Sequence, residues 1–230
     1  MKVFAISDLH LSVNNPKPMD IFGPTWDGYL EKIIDDWNQK VGDDDLVLMS
    51  GDFSWAMKLA ETKADFDIIK DLPGKKILIR GNHDYWWASI SAVRQSVPKN
   101  VYAIQNDALK FGDYIICGTR LWNLPDGKAQ TPEDEKIYKR ELIRLEMTLQ
   151  SAQKLKMGDE KIICMLHYPP YTFKEEDNEV TAMLEQYGVY KVVYGHIHAY
   201  CKQNLVLNKN EILYYLTSCD LVENQLIEID

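Results

Sequence analysis

The apolar run Lys76-Ile77-Leu78-Ile79-Arg80 stops abruptly at Gly81-Asn82-His83-Asp84. The same event recurs along the chain. Short runs rich in Val, Ile, Leu and Met read as buried strands. They end in Ser7-Asp8-Leu9-His10, Ser50-Gly51-Asp52, His167-Tyr168-Pro169-Pro170 and Gly195-His196-Ile197-His198. Strands of this kind must pack side by side, which gathers their polar ends along one edge. In open α/β sheets, sites form at the carboxyl ends of strands.

Between the strands, apolar spacing predicts helices near residues 26–39, 59–71, 86–96, 134–156 and 178–187. On the longest, Tyr138, Leu142, Leu145, Leu149 and Ala152 form one stripe. The stripe is too short for a sustained coiled coil and is expected to pack on the protein's own sheet. Residues 101–118 read as short strands, Val101–Ile104 and Tyr114–Cys117. The last thirty residues read as short strand-like pieces with turn residues at Asn208-Lys209-Asn210. Residues 12–28, rich in Asn, Pro and Gly, read as a loop. A second Pro- and Gly-bearing loop carries Pro125, Gly127 and Pro132. No repeat or linker divides the chain, so one domain over residues 1–230 is expected. Helices alternate with strands early and short strands dominate late, which defines an α/β domain with mixed sheets.

The chain has five histidines. His10, His83, His167, His196 and His198 all fall within four residues of a strand-pattern end, as do Asp8, Asp52 and Asn82. One histidine in such a place is ordinarily a core or turn residue. All five in the same context point to a metal site. Asp8 and His10, two apart, would face the same way in an extended segment. Imidazole and oxygen donors without thiolate suit Mn, Fe, Zn, Ni or Co better than Mg or Ca.

Asp8-x-His10, Gly51-Asp52, Gly81-Asn82-His83-Asp84, His167 and Gly195-His196-x-His198, in that order, resemble the signature of the calcineurin-like metallophosphoesterases. The blocks span residues 8 to 198. One departure is Leu166, where the family often has Gly or a polar residue before the histidine. The resemblance implies an α-β-β-α sandwich of two mixed sheets flanked by helices. It implies two divalent transition-metal ions. Asp8, His10, Asp52 and His198 would hold one, and Asp52, Asn82, His167 and His196 the other. It also implies hydrolysis of a phosphomonoester, phosphodiester or pyrophosphate by a metal-bridging hydroxide. His83, not needed as a ligand, is then free to act as a general acid or to stabilise the phosphoryl oxygens. Asp84 is expected to orient His83.

Charge narrows the partners. The chain has 35 acidic and 26 basic residues, a net charge of −9. This argues against broad nucleic-acid binding, and hence against a nuclease of the same fold. Two divalent ions would still leave the cleft attractive to a small anionic phosphoester. A catalytically silent scaffold should have lost ligands, and none is missing. Gly-x-Ser-x-Gly and Gly-rich phosphate-loop patterns are absent. Arg120, at a strand end, is the candidate phosphate clamp beyond the metals. Trp55, Tyr85, Trp86, Trp87, Trp122, Tyr168 and Tyr171 lie near motif ends, as a stacking wall or as core beneath the loops. Cys117, Cys164, Cys201 and Cys219 lack metal-knuckle spacing and read as reduced, buried thiols. With no signal-peptide pattern and no apolar run long enough to span a membrane, a cytoplasmic location is expected.

Overall fold

The computed structural model describes residues 1–14, 16–125, 131–199 and 204–230. Asn15, Gly127 and Cys201, which belong to the loop and cysteine readings above, lie outside the described residues. The strands are β1 (Val3–Ala5), β2 (Leu46–Met49), β3 (Lys75–Leu78), β4 (Val101–Ala103), β5 (Asp107–Phe111) and β6 (Tyr114–Thr119). They continue with β7 (Lys161–Leu166), β8 (Lys191–Tyr194), β9 (Val206–Lys209), β10 (Ile212–Leu216) and β11 (Ile227–Glu228). The helices are α1 (Tyr29–Lys40), α2 (Lys63–Ile69), α3 (Ile90–Ser96), α4 (Pro132–Leu155) and α5 (Glu179–Gln186).

Two mixed sheets form. The first has the order β11-β1-β2-β3-β4, parallel except for β11. The second has the order β5-β6-β7-β8-β10-β9, parallel at its centre with antiparallel edges. Alternation along each strand produces the layers. Val3, Ala5, Leu46, Leu48 and Ile77 of the first sheet meet Ile116, Ile163, Met165 and Val193 of the second in one buried cluster. The opposite face of the first sheet (Phe4, Val47, Met49, Leu78) packs on Ile33 and Trp37 of α1, Phe66 and Ile69 of α2 and Val93 of α3. The outer face of the second sheet packs on Tyr138, Leu145, Leu149 and Ala152 of α4 and Val180 and Leu184 of α5. The architecture is the expected α-β-β-α sandwich, and the α4 stripe is buried on the protein's own sheet.

Three local expectations change. The third helix begins at Ile90, not at Trp86, because Ser89 caps it by accepting from the Ala92 amide at 3.4 Å. The preceding residues turn instead, and Trp86 and Trp87 enter the core. The first long helix begins at Tyr29 because Gly28 adopts a left-handed conformation, φ 59°, just before it. β5 is an edge strand in which only Ala108 is buried, so its sequence lacks the apolar run of a central strand. Cys117, Cys164 and Cys219 are free and buried.

Candidate metal centre

The polar residues after β1, β2, β3, β7 and β8 converge at the carboxyl ends of the strands. They do so through kinks rather than regular extension. Asp8, His10, Asp52 and His196 all have positive φ, at 60°, 48°, 50° and 72°. Asp8 and His10 therefore converge through two left-handed residues, and not through the strand alternation expected from their spacing. Such conformations cost about 1–3 kcal/mol each and collect at functional sites. The loops are laced together: the Asp8 amide donates to the Gly51 carbonyl at 3.0 Å, and the His10 amide to the Asp52 carbonyl at 3.0 Å. Two glycines permit the close approach. A Cβ on Gly81 would lie 2.1 Å from Asp52 Oδ1, and one on Gly195 would lie 2.2 Å from Asp8 Oδ2.

The donor atoms form two groups. In one, His10 Nε2 lies 3.3 Å from His198 Nε2, and His198 Nε2 lies 3.7 Å from Asp8 Oδ1. In the other, Asn82 Oδ1 lies 2.6 Å from His167 Nε2 and 2.8 Å from His196 Nδ1. Asp52 stands between them, with Oδ2 at 3.9 Å from His10 Nε2 and 3.5 Å from His167 Nε2. Its other oxygen, Oδ1, accepts the His83 amide at 2.7 Å. Metal–ligand bonds of about 2.0–2.2 Å place neighbouring ligands about 3 Å apart, so donors at these separations fit around divalent ions. Asp8 also comes within 4.0 Å of His167 Nδ1. That nitrogen is 2.9 Å from the Ser50 carbonyl, a contact that aims Nε2 at Asn82 and Asp52.

The electrostatics of the donor cluster point the same way. Burial pushes the Asp8 and Asp52 carboxyls up. Burial lowers His167 and His196 to about 3. Buried acceptors forced toward neutrality are what a divalent cation would relieve. His198 differs. Burial alone would lower it, but the hydrogen bond to Asp220 and the nearby Asp8 raise it to about 9. Its Nδ1 lies 2.9 Å from Asp220 Oδ1, which leaves Nε2 facing Asp8 and His10. Asp220 also accepts the Ala199 amide at 2.8 Å. Sequence reading missed Asp220. It follows the carboxyl end of β10, the position shared by the other candidates, but carries no histidine beside it.

His83 stands apart from both donor groups. Its ring centroid is 4.5 Å from that of Trp55 and 5.7 Å from that of His10. Its Nδ1 is buried and has no hydrogen-bond partner among the described residues. Burial lowers its pKa. The expected support of His83 by Asp84 is therefore not a hydrogen bond. The Asp84 carboxylate is fully occupied elsewhere, accepting the amides of Gly81 (2.7 Å), Asp52 (2.9 Å), Phe53 (3.0 Å) and Ser54 (3.2 Å). It also accepts the Trp86 indole at 2.9 Å. Asp84 pins the Asp52 loop to the Gly81 turn.

The aromatic residues divide. Trp86, Trp87 and Tyr171 belong to the core. Trp87 donates its indole N–H to Gln105 Oε1 at 2.7 Å. Tyr168 lies against His196, with centroids 4.0 Å apart, and Trp55 against His10 at 4.9 Å. Tyr85 is exposed. Arg120 faces the Trp122 ring at 4.7 Å and the Glu141 carboxylate at 3.5 Å. Its carbonyl accepts the His167 and Tyr168 amides at 3.2 and 3.0 Å, which joins it to the edge of the site. No helix among the described residues is long and apolar enough to cross a membrane.

A two-sheet sandwich with clustered Asp and His donors at its strand ends is the arrangement of metal-dependent phosphoesterases. The sequence profile of the calcineurin-like phosphoesterases matches residues 1–200, and the chain belongs to that family. Among solved structures, the chain is similar to the protein of unknown function AQ665 from Aquifex aeolicus. That match has 16% identity and a TM-score of 0.53, and covers 99% of this chain and 95% of that one. It is also similar to TT1561 of Thermus thermophilus, with 14% identity and a TM-score of 0.56, covering 98% of this chain and 96% of that one. At these identities the likeness is one of fold. No curated protein matches the chain.

Proposed function

We propose that the chain hydrolyses a phosphomonoester, phosphodiester or pyrophosphate bond with two divalent transition-metal ions. The observation that carries this reading is the position of Asp52, whose Oδ2 lies within 4 Å of one imidazole from each donor group. Asp8, His10, Asp52 and His198 would hold one ion, and Asp52, Asn82, His167 and His196 the other. The metals could be Mn, Fe, Zn, Ni or Co, all of which accept mixed nitrogen and oxygen donors. When bound, such ions supply Lewis-acid stabilisation of phosphoryl charge and make water more acidic.

The remaining work falls to the chain itself. Ser50 and Asp220 fix the ring orientations of His167 and His198, so that the chosen nitrogen of each faces the cleft. His83 lies beside the donors without joining them and delivers a proton to the leaving oxygen or hydrogen-bonds the phosphoryl group. Trp55 and Tyr168 back the imidazoles with apolar surface and limit access of water. A small phosphoester is the substrate class, and the cytoplasm the proposed location. The test is a hydrolysis panel on chain reconstituted with Mn, Zn, Fe or Ni. It covers p-nitrophenyl phosphate, its bis ester, cyclic nucleotides and dinucleotide pyrophosphates. Metal-dependent turnover of at least one substrate is expected. Inactivity toward all of them with every metal would overturn the reading.

A further inference from the structure

Next to the turn that carries Asn82 lies a cavity of about 80 Å³, lined in part by Arg80, Asn106, Thr119, Arg120, Glu141 and Arg144. At about 30 Å³ per water it has room for about two or three waters, space on the scale of one phosphate group. Three arginines and one glutamate are among its lining residues. Glu141 is fully buried. It is already engaged by Arg144 at 2.5 Å, by Arg120 at 3.5 Å and by the Thr119 hydroxyl at 3.2 Å. Arg80 is left over. Its Nε is buried with no hydrogen-bond partner, and it forms no ion pair among the described residues. Guanidinium groups stay protonated in proteins, so the lining has three positive charges against the one carboxylate of Glu141, with Asp84 as a further acidic neighbour of Arg80.

A buried donor without an acceptor is destabilising, and an arginine fork is shaped to grip two oxygens of a phosphate. The cavity is tied to the metal centre at two points. Arg80 precedes Asn82 by two residues, a backbone reach of about 7 Å. Arg120 holds the His167 amide through its carbonyl. We propose that the Arg80–Arg120–Arg144 cavity is a phosphate-binding subsite, and that the substrate carries a second phosphate group which docks there while the scissile one lies over the metal donors. The assignment of the scissile group rests on the function proposed above; the arginine subsite itself does not. Arg80 and Arg144 bind and position, and neither takes part in the chemistry. The two phosphates are joined directly, as in a nucleoside diphosphate, or carried on separate positions, as in a bisphosphate.

The Mn-loaded full chain decides. Its kcat/KM is measured for AMP, ADP and adenosine 3′,5′-bisphosphate, in the wild type and in Arg80→Gln and Arg144→Gln. The wild type should favour one of the two-phosphate nucleotides over AMP at least tenfold, and the favoured one identifies the linkage. Each variant should lose most of that preference through KM. A wild type with no preference, or variants that both keep it within twofold, would overturn the subsite. If the wild type hydrolyses no phosphoester, the hydrolase reading fails and a variant-free measurement judges the cavity separately. Inorganic phosphate should then shield Arg80 of the metal-free chain from phenylglyoxal, read by peptide mapping. Equal modification of Arg80 with and without phosphate would refute the site.

Discussion

The carboxylate of Asp84 accepts the backbone N–H of Asp52 at 2.9 Å, across two separate strand ends. The same carboxylate holds Gly81, so the loop after β2 and the turn after β3 share one buried anchor. An amide at this position would turn an NH₂ group toward backbone donors. Asp84→Asn should destabilise the fold by about 2–4 kcal/mol, since hydrogen bonds to charged groups are worth about 1.5–3 kcal/mol each. It should also weaken metal retention by displacing Asp52. Urea unfolding and metal analysis of the purified variant check both outcomes.

His83 belongs to neither donor group, although it follows Asn82 directly. His83→Ala should keep its metal content and lose turnover by about 10²–10⁴-fold, the usual range for a proton-transfer group. Metal analysis paired with steady-state kinetics checks this. Wild-type turnover would remove His83 from the mechanism, and lost metal would make it a ligand.

Asp220 acts on His198 from behind. Replacing a carboxylate that orients a ligating imidazole typically costs about 10–100-fold in metal affinity. Asp220→Asn should show a loss of that size for the ion that His10 and His198 would hold, with the other ion retained. A chelator-competition titration resolves the two.

Lys76 is a defect of the core. Its side chain is fully buried beneath α1, with its ammonium on the Leu72 carbonyl and 5.9 Å from the Trp37 ring. Burial lowers its pKa from 10.5 to about 8. Between these values the unfolded chain binds more protons than the folded one, so this residue makes stability rise with pH across that window. Lys76→Met should therefore stabilise the protein by about 1–3 kcal/mol at pH 7. The gain should shrink toward zero by about pH 10. Denaturant unfolding at the two pH values gives the comparison.

Much of this organisation was legible in the residues. The α/β class with mixed sheets followed from buried strand patterns separated by amphipathic helices, and the two-sheet sandwich from the resemblance carried by the Asp, Asn and His blocks. The structure gathers Asp8, His10, Asp52, Asn82, His167, His196 and His198 at one edge because each block sits at a strand end. Long-range partnerships were not legible. Asp84 looks like the neighbour of His83 in sequence, yet its carboxylate serves the loop around Asp52, more than thirty residues earlier. Asp220 meets His198 only because β10 lies beside β8. β5 was missed because an edge strand needs no continuous apolar run. The Trp86-Trp87 pair, helical by its spacing, is drawn out of helix by indole hydrogen bonds to Asp84 and Gln105.

The central claim is that one carboxylate, Asp52, is shared by two metal ions. Metal content of the Mn-reconstituted chain, measured by plasma mass spectrometry for wild type and Asp52→Ala, tests it most directly. Two ions per chain in the wild type, and no more than one loosely held ion in the variant, is the expected result. A wild type that retains less than one ion, or an Asp52→Ala chain that still retains two, would contradict it.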